Sequence, residues 1–143
     1  MRTYYIPFVA LTVLLGTCDT GFDESDLYDY SVDQQMGCFC PQAGVWVRLF
    51  VRADTIAHAT NISTGSHLAN QQLSPYRTVK GLFDEIAMID KSMFDVVVVM
   101  DSTYNYPSYV HCSPKPIVHG DTVVVVAVAQ WSYSTRNFVR LGQ

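Results

Sequence analysis

The cysteines are the residues of this sequence whose spacing points most directly to chemistry. Cys38 and Cys40 are separated by a single residue. In a strand, side chains two residues apart lie on the same face, so the two sulfurs can meet. The Cα separation in an extended strand lies near the upper limit of disulfide geometry, so a bond would pucker the chain, and strained disulfides are reduced more easily. The pair therefore offers either a structural crosslink or a redox site.

The remaining cysteines leave several pairings open. If Cys18 carries a lipid, as argued below, three thiols remain and one of them is left over. We favour a disulfide between Cys38 and Cys40, with Cys112 as the alternative partner of either one. In the third arrangement no disulfide forms, or the thiols hold a metal.

A soft-metal site is the alternative chemistry for these thiols. Thiolates prefer Cu(I) and Zn(II), and the weak candidates to bind such an ion are Cys38, Cys40, Cys112 and His119. His111 is a poorer ligand, because neighbouring residues of a strand face opposite ways and His111 would point away from Cys112. Structural cysteines and solvated histidines explain the same residues more simply, so we predict no metal and no cofactor.

No other set of residues matches a known catalytic pattern. The sequence lacks a nucleophile elbow, a zinc-protease helix and a phosphate loop. Asp84 and Glu85 are adjacent on a predicted helix and point in different directions, so they do not form an acid/base pair. We therefore predict that the protein is not an enzyme.

An aromatic patch that binds a glycan or a peptide is a further candidate site. Aromatic residues at turns and strand ends more often cover a core. The members of the patch would be Tyr104, Tyr106, Tyr109, Trp131 and Tyr133.

The first 17 residues have the pattern of a signal peptide. Arg2 is followed by an uncharged apolar run, Tyr4–Gly16, which is too short to cross a bilayer. The run ends in Leu15-Gly16-Thr17-Cys18, which resembles the bacterial lipobox, and cleavage there would leave an acylated Cys18 as the first residue. An ordinary secretory signal or a buried N-terminal segment are the alternatives.

The distribution of charge indicates a tethered, acidic protein. The net charge is −4, and nine Lys and Arg residues are scattered singly, without the basic stripe that nucleic acids require. Residues 18–27 are acidic and too poor in apolar residues to fold, so we predict a tether there. We place the protein in the bacterial cell envelope, lipid-anchored, on the periplasmic side if the cell is Gram-negative. Asp19, directly after Cys18, is typical of inner-membrane retention.

Hydrophobic periodicity predicts a single α+β domain over residues 28–133 and a C-terminal tail over 134–143. Apolar residues recur every three or four positions from Val79 to Ile89, which predicts the one main helix, with Thr78 as its N-cap. We expect it to pack on one face of an antiparallel sheet of five to six strands, in the order ββ(β)-α-βββ. The continuous apolar runs 96–100 and 122–129 predict central, buried strands. The other strands are expected at 28–35, 45–52, 55–59 and 109–112.

A set of short motifs resembles a known bacterial family. The motifs are, in order, Cys38-Phe39-Cys40-Pro41, Trp46-Val47, Thr78-Val79 with Leu82-Phe83-Asp84 and Ile86, Asp101, and Tyr106-Pro107. Together they resemble domain of unknown function 6174, found in small secreted proteins and lipoproteins, over roughly residues 28–131. Asn105 stands where Gly is usual, and Cys112 is additional. The resemblance implies fold and compartment but supplies no catalytic residues.

We therefore predict a membrane-anchored envelope lipoprotein whose domain is a non-catalytic binding or structural module. Its expected partners are the membrane, through the lipid, and an envelope protein or peptide. The first alternative is thiol-redox or copper/zinc handling through Cys38 and Cys40. The second, an inhibitor of an envelope enzyme, rests on analogy of size and fold.

Overall fold

The computed structural model describes residues 28–119, 121–124 and 130–142. The predicted signal peptide, Cys18, Asp19 and the acidic tether lie outside the described residues, as do residues 125–129 of the predicted strand 122–129 and the side chain of His119. No helix in the described ranges is long and apolar enough to span a membrane.

The described part of the chain is mostly β-structure. Six strands form one antiparallel sheet in the order β3-β2-β1-β8-β5-β4, and two short strands form a separate hairpin, β6-β7. The bounds are β1 Tyr30–Gly37, β2 Trp46–Arg52, β3 Thr55–Asn61, α1 Asn70–Leu73, α2 Val79–Met88, β4 Phe94–Met100, β5 Pro107–Pro114, β6 Ile117–His119, β7 Thr122–Val124 and β8 Trp131–Arg140.

The predicted α+β class, with one main helix packed on a sheet, was wrong. The helices have four and ten residues, and within α2 the fully buried residue is Leu82. A helix of this length covers a small part of a six-stranded sheet, so it does not form a second layer. The local signals were nevertheless correct, because α2 begins after Thr78, whose side chain accepts a hydrogen bond from the Gly81 N–H at 2.9 Å.

The centre of the sheet differs from the prediction. Residues 134–140, assigned above to a C-terminal tail, continue β8, which lies between β1 and β5. The strand was missed because its side chains are mostly polar. Backbone hydrogen bonds to β1 and β5 keep β8 in the sheet whatever its side chains are. Polar side chains are tolerated in a strand where one face of the sheet is open to water.

The valine-rich run at residues 96–100 was also misplaced. It lies in β4, which is one of the two edge strands, and most of its side chains are exposed. The described part of the run 122–129, Thr122–Val124, is likewise exposed in β7. Valine content indicates that a segment fits a pleated surface, but it does not specify the position of a strand within the sheet.

The core lies on the face of the sheet that α2 contacts, which we call the inner face. Val47, Leu49 and Val51 alternate along β2 and are fully buried there, as their spacing predicts. A second cluster joins Leu82 of α2 to the sheet, and its other members are Met36, Val110 and Tyr133.

Two turns fix the strand connections. Ala53 and Asp54 both have positive φ, 48° and 55°, as expected for the tight turn of the β2-β3 hairpin. Asn105 has a φ of 54° in the turn before β5, which agrees with the predicted left-handed residue there.

Candidate functional site

The structure joins Cys38 and Cys40 in a disulfide, which is the pairing favoured above. The two residues lie just beyond the end of β1, not within a strand, and their Cα atoms are 5.3 Å apart. This separation is ordinary for a disulfide, so the strain expected from an extended strand does not arise from the spacing of the backbone.

Backbone hydrogen bonds hold the loop that carries this disulfide. The Gly44 N–H donates to the Met36 carbonyl at 2.8 Å, and the Ala43 N–H donates to the Cys40 carbonyl at 3.0 Å. The Gln35 side chain donates to the Gly44 carbonyl at 2.6 Å. Closing a three-residue loop stabilises a fold by roughly 1.6 kcal/mol in the chain-entropy model, against about 3 for fifteen residues. The bond therefore contributes little to the stability of the fold.

A cavity of about 300 Å³ lies beside Cys38, where β1, β5 and β8 come together. The Nε2 atoms of His111 and Gln130 are 3.3 Å apart in its wall. Phe39, between the two cysteines, is 82% exposed. The cavity is lined by Gly37, Cys38, Phe39, His111, Gln130, Trp131 and Ser132.

Gly37 lies where β1 and β8 approach closely beside this cavity. A Cβ atom at this position would lie 2.3 Å from the Ser132 hydroxyl oxygen, which is far inside contact distance. A side chain at this position would therefore require the Ser132 hydroxyl to turn away, at the point where β1 pairs with β8 immediately before the disulfide loop.

The third described cysteine lies apart from this site. Cys112 is buried and free, and burial raises the pKa of its thiol, with a smaller contribution from Glu85. His111 is on the opposite face of β5, as the alternation predicts. Within the described ranges, no three His, Cys, Asp or Glu side chains are grouped to hold a metal, so Cys38, Cys40 and Cys112 are not brought together as ligands.

An ion pair between a buried carboxylate and a half-exposed arginine on the opposite side of the sheet, which we call the outer face, was not predicted. Asp33 of β1 is 1% exposed. It accepts two hydrogen bonds from Arg48 of β2, from Nε at 2.7 Å and from Nη2 at 3.2 Å. Asn137 of β8 donates a third at 2.8 Å. The alternation of Arg48 with the buried residues Val47 and Leu49 indicated which face of the sheet it occupies. Its partner on β1 could not be predicted, because that partner depends on the register between the two strands.

A local irregularity brings Asn137 to this carboxylate. The pairing of β1 with β8 shifts register between Ser31 and Asp33, and Asn137 has a positive φ of 53°. A β-bulge of this kind redirects one side chain. Nearby, the Arg136 guanidinium lies 3.8 Å from the centre of the Trp46 ring, so an aromatic side chain also supports a cation on this face.

The free edge of β4 is an uncovered apolar feature of the main sheet. β4 pairs with β5 on one side, and no described strand pairs with its other side. Val97, Val98, Val99 and Met100 are 52%, 37%, 50% and 38% exposed, so side chains on both faces of the strand are accessible. Carboxylates flank the run at Asp95 and Asp101.

Comparison of the chain with models of known protein families identifies one family. The family model described as "Family of unknown function (DUF6174)" matches residues 18–130. The chain belongs to this family. The resemblance stated from the motifs is therefore confirmed, and the match extends further toward the N-terminus than residue 28, to Cys18. Searches of the curated proteins and of the solved structures gave no significant match.

The aromatic residues of this DUF6174 chain do not form the single patch considered above. Tyr106 and Tyr133 are buried, and Tyr104 and Tyr106 both contact Phe138. The Tyr133 hydroxyl donates to the Pro75 carbonyl at 2.8 Å, and burial raises its pKa to about 12. These rings mainly cover the core. Tyr109 remains exposed beside His111, with parallel rings 6.3 Å apart.

Two histidines form a contact that the sequence did not suggest. Nδ1 of His67 lies 3.0 Å from Nε2 of His58, and the Thr60 hydroxyl is 3.2 Å from the same Nε2. His67 reaches β3 through an isolated bridge to Thr60. Nine residues separate the two histidines, so only the loop after β3 brings them together.

Proposed function

We propose that this DUF6174 chain is a lipid-anchored protein of the bacterial cell envelope whose domain binds an extended polypeptide and does not turn over a substrate catalytically. The observation that carries the binding proposal is the unpaired, apolar edge of β4. The location rests on the N-terminal sequence and on the cysteines.

Three features support the envelope location. The lipobox-like sequence at 15–18 follows a short apolar run, and the family match begins at Cys18 itself. The Cys38–Cys40 disulfide fits an oxidising compartment. A single acyl chain binds a protein to a membrane only marginally, whereas two chains anchor it stably. A lipoprotein carries several acyl chains, so its anchor is stable. Asp19 then favours the inner membrane.

The edge of β4 supports recognition by strand addition. A free edge presents unpaired backbone N–H and C=O groups, and proteins normally protect such an edge with Lys, Pro or a bulge. The five residues from Val96 to Met100 include no Lys and no Pro, and their pairing with β5 is regular as far as Val99, where the register shifts before Met100. An incoming strand would gain main-chain hydrogen bonds, and alternate side chains would contact exposed valines on each face.

The charges beside β4 favour a partner of different sequence over a second copy. Two copies that paired the whole run Val96–Met100 antiparallel would be centred on Val98, and Asp95 of one copy would lie opposite Asp101 of the other. Like charges directly opposite are destabilising. A segment of about five apolar residues flanked by Lys or Arg would place cations opposite both carboxylates instead.

Replacing Cys18 with Ser is expected to release the protein from membranes. In the unmodified chain we expect a mature N-terminus at Cys18 with bound acyl chains, and recovery in the membrane fraction after a high-salt wash. Mass spectrometry of the N-terminal peptide and fractionation measure both. The control is Cys112→Ala, which leaves the anchor unchanged. An intact, unacylated Met1 in the soluble fraction would contradict the location.

Placing lysines on the edge strand is expected to abolish peptide binding. The probe is a fluorescently labelled synthetic peptide with five apolar residues between two lysines. Its binding is measured by fluorescence anisotropy. The double variant V97K/V99K should weaken binding at least tenfold, because like charges and a protected edge oppose strand addition. The matched control, V118K/V123K, changes two exposed valines of the β6-β7 hairpin, at 63% and 61%, and should bind normally.

Two outcomes would overturn this binding mode. If a peptide flanked by glutamates binds as well as the lysine-flanked peptide, Asp95 and Asp101 do not select the partner. If sedimentation shows a dimer that V97K/V99K dissociates, the edge is occupied by a second copy. Hydrogen exchange of β4 amides, with and without peptide, provides an independent readout of strand addition.

A further inference from the structure

We propose that the Cys38–Cys40 disulfide exchanges with thiols of a polypeptide substrate, and that the sulfur attacked is Cys38, at the cavity formed with β5 and β8. This inference is independent of the binding mode proposed for β4, which lies at the edge of the sheet beyond β5.

The first argument is access. Cys38 lines the cavity of about 300 Å³, whereas Cys40 is not among the lining residues. Both cysteines are half-buried and pack on the core cluster that contains Leu82 and Tyr133, and Cys38 is the one of the two that lines the cavity. Thiol exchange requires that a thiolate reach one of the two sulfurs, so we expect attack at the cysteine beside the cavity.

The second argument is the exposed aromatic side chain between the cysteines. Phe39 is 82% exposed and also lines the cavity, next to Trp131. A phenylalanine in water contributes nothing to the core. Beside a disulfide it provides an apolar contact for the residues that flank a substrate thiol, since aromatic side chains are favoured at recognition surfaces.

The third argument is that the fold does not depend on the bond. Main-chain hydrogen bonds from Ala43 to Cys40 and from Gly44 to Met36 close the loop without it. After reduction, the two thiols would therefore stay close together, so the disulfide can form again. A crosslink that joins two distant elements behaves differently, because its loss frees both of them.

The proposed step conserves atoms and electrons. A substrate thiolate attacks Sγ of Cys38, the bond between Cys38 and Cys40 breaks, and Cys40 leaves as a thiolate that takes a proton from water. A second thiolate of the same substrate then attacks the first substrate sulfur in the mixed disulfide. The bond between that sulfur and Sγ of Cys38 breaks, and Cys38 leaves as a thiolate. The substrate dithiol is oxidised by two electrons, and the Cys38–Cys40 pair is reduced by two.

The test follows disulfide transfer from the full chain, in detergent, to a reduced synthetic peptide with two cysteines. Acid quenching, alkylation and mass spectrometry identify which cysteines are reduced. We expect equal amounts of oxidised peptide and reduced Cys38–Cys40, formed at least tenfold faster than with oxidised glutathione at the same concentration. Cys112 should stay unlabelled until the chain unfolds, because it is buried.

Two single-cysteine variants test which sulfur is attacked. When treated with a peptide thiol activated by thionitrobenzoate, C40S should form a mixed disulfide at Cys38 at least tenfold faster than C38S forms one at Cys40. Thermal unfolding confirms that both variants fold. Equal rates would overturn the assignment of Cys38.

A matched pair of surface variants tests the role of Phe39. F39S should slow transfer about fivefold or more, whereas M88S, which removes an equally exposed apolar side chain of α2, should leave it unchanged. If the disulfide is reduced only under denaturing conditions, the bond is a structural crosslink and the proposal fails. If F39S exchanges at the same rate as M88S and the unmodified chain, the role assigned to Phe39 is overturned.

Discussion

Replacing Arg48 with Ala is expected to lower the free energy of unfolding by about 3 kcal/mol, because it leaves the Asp33 carboxylate buried without a cation. Breaking a buried ion pair from one side costs about 3–5 kcal/mol. Arg48 is 46% exposed, so water can partly replace it, and the lower end of that range applies. Asn137 remains as a hydrogen-bond donor to Asp33 but carries no charge. Urea denaturation measures the difference.

The double variant D33A/R48A separates the buried charge from the loss of packing. Removing both partners leaves no uncompensated carboxylate, so it should recover at least about 1 kcal/mol relative to R48A alone. R136A serves as a control on the same face. It removes a cation that lies over Trp46, for which about 0.5–1 kcal/mol is expected. If the loss of unfolding free energy in D33A/R48A equals the sum of the losses in D33A and R48A, this account of the ion pair is contradicted.

Replacing Leu82 with Ala is expected to cost about 3 kcal/mol and to detach α2 from the sheet. Leu82 is 1% exposed and contacts the cluster of Met36, Val110 and Tyr133. Truncating a buried leucine leaves a cavity, and such changes cost about 2–5 kcal/mol. A ten-residue helix is too short to be stable by itself in water, so it depends on this contact.

The neighbouring residue of the same helix provides the control for this prediction. Phe83 is 41% exposed, and F83A should cost less than about 1 kcal/mol. Chemical denaturation measures both variants, and hydrogen exchange along α2 shows whether the helix opens locally in L82A. If L82A and F83A have equal effects, the contact of α2 with the sheet is not what holds the helix in place.

Both predictions bear on the proposed functional features. Leu82 lies in the cluster on which Cys38 and Cys40 rest, so L82A should also loosen the support of the disulfide loop. The ion pair of Asp33 and Arg48 joins β1 to β2, whereas the free edge of β4 lies at the far side of the sheet. R48A should therefore leave peptide binding at β4 unchanged under conditions where the variant is folded.

Local features were predicted from the sequence because their causes are local. Alternation along β2 placed Val47 and Leu49 in the core, since the side-chain period of a strand is two. The N-cap at Thr78 and the left-handed Asn105 follow from the preferences of single residues. The pairing of Cys38 with Cys40 was favoured because one residue separates them.

The features that were missed all depend on residues far apart in the chain. Asp33 meets Asn137 across 104 positions, and the cavity beside Cys38 needs residues from β5 and β8. Strand order, which no local pattern encodes, put polar β8 in the centre and apolar β4 at the edge. The sequence by itself determined the apolar strands and the inward face of β2, because these depend on side-chain chemistry and backbone preference over a few residues. Only the tertiary structure decided that the polar segment β8 is a strand and which strands are neighbours, and therefore which carboxylate is buried, which cysteine lines a cavity and which edge is free. Those outcomes depend on the register and closure of the whole sheet.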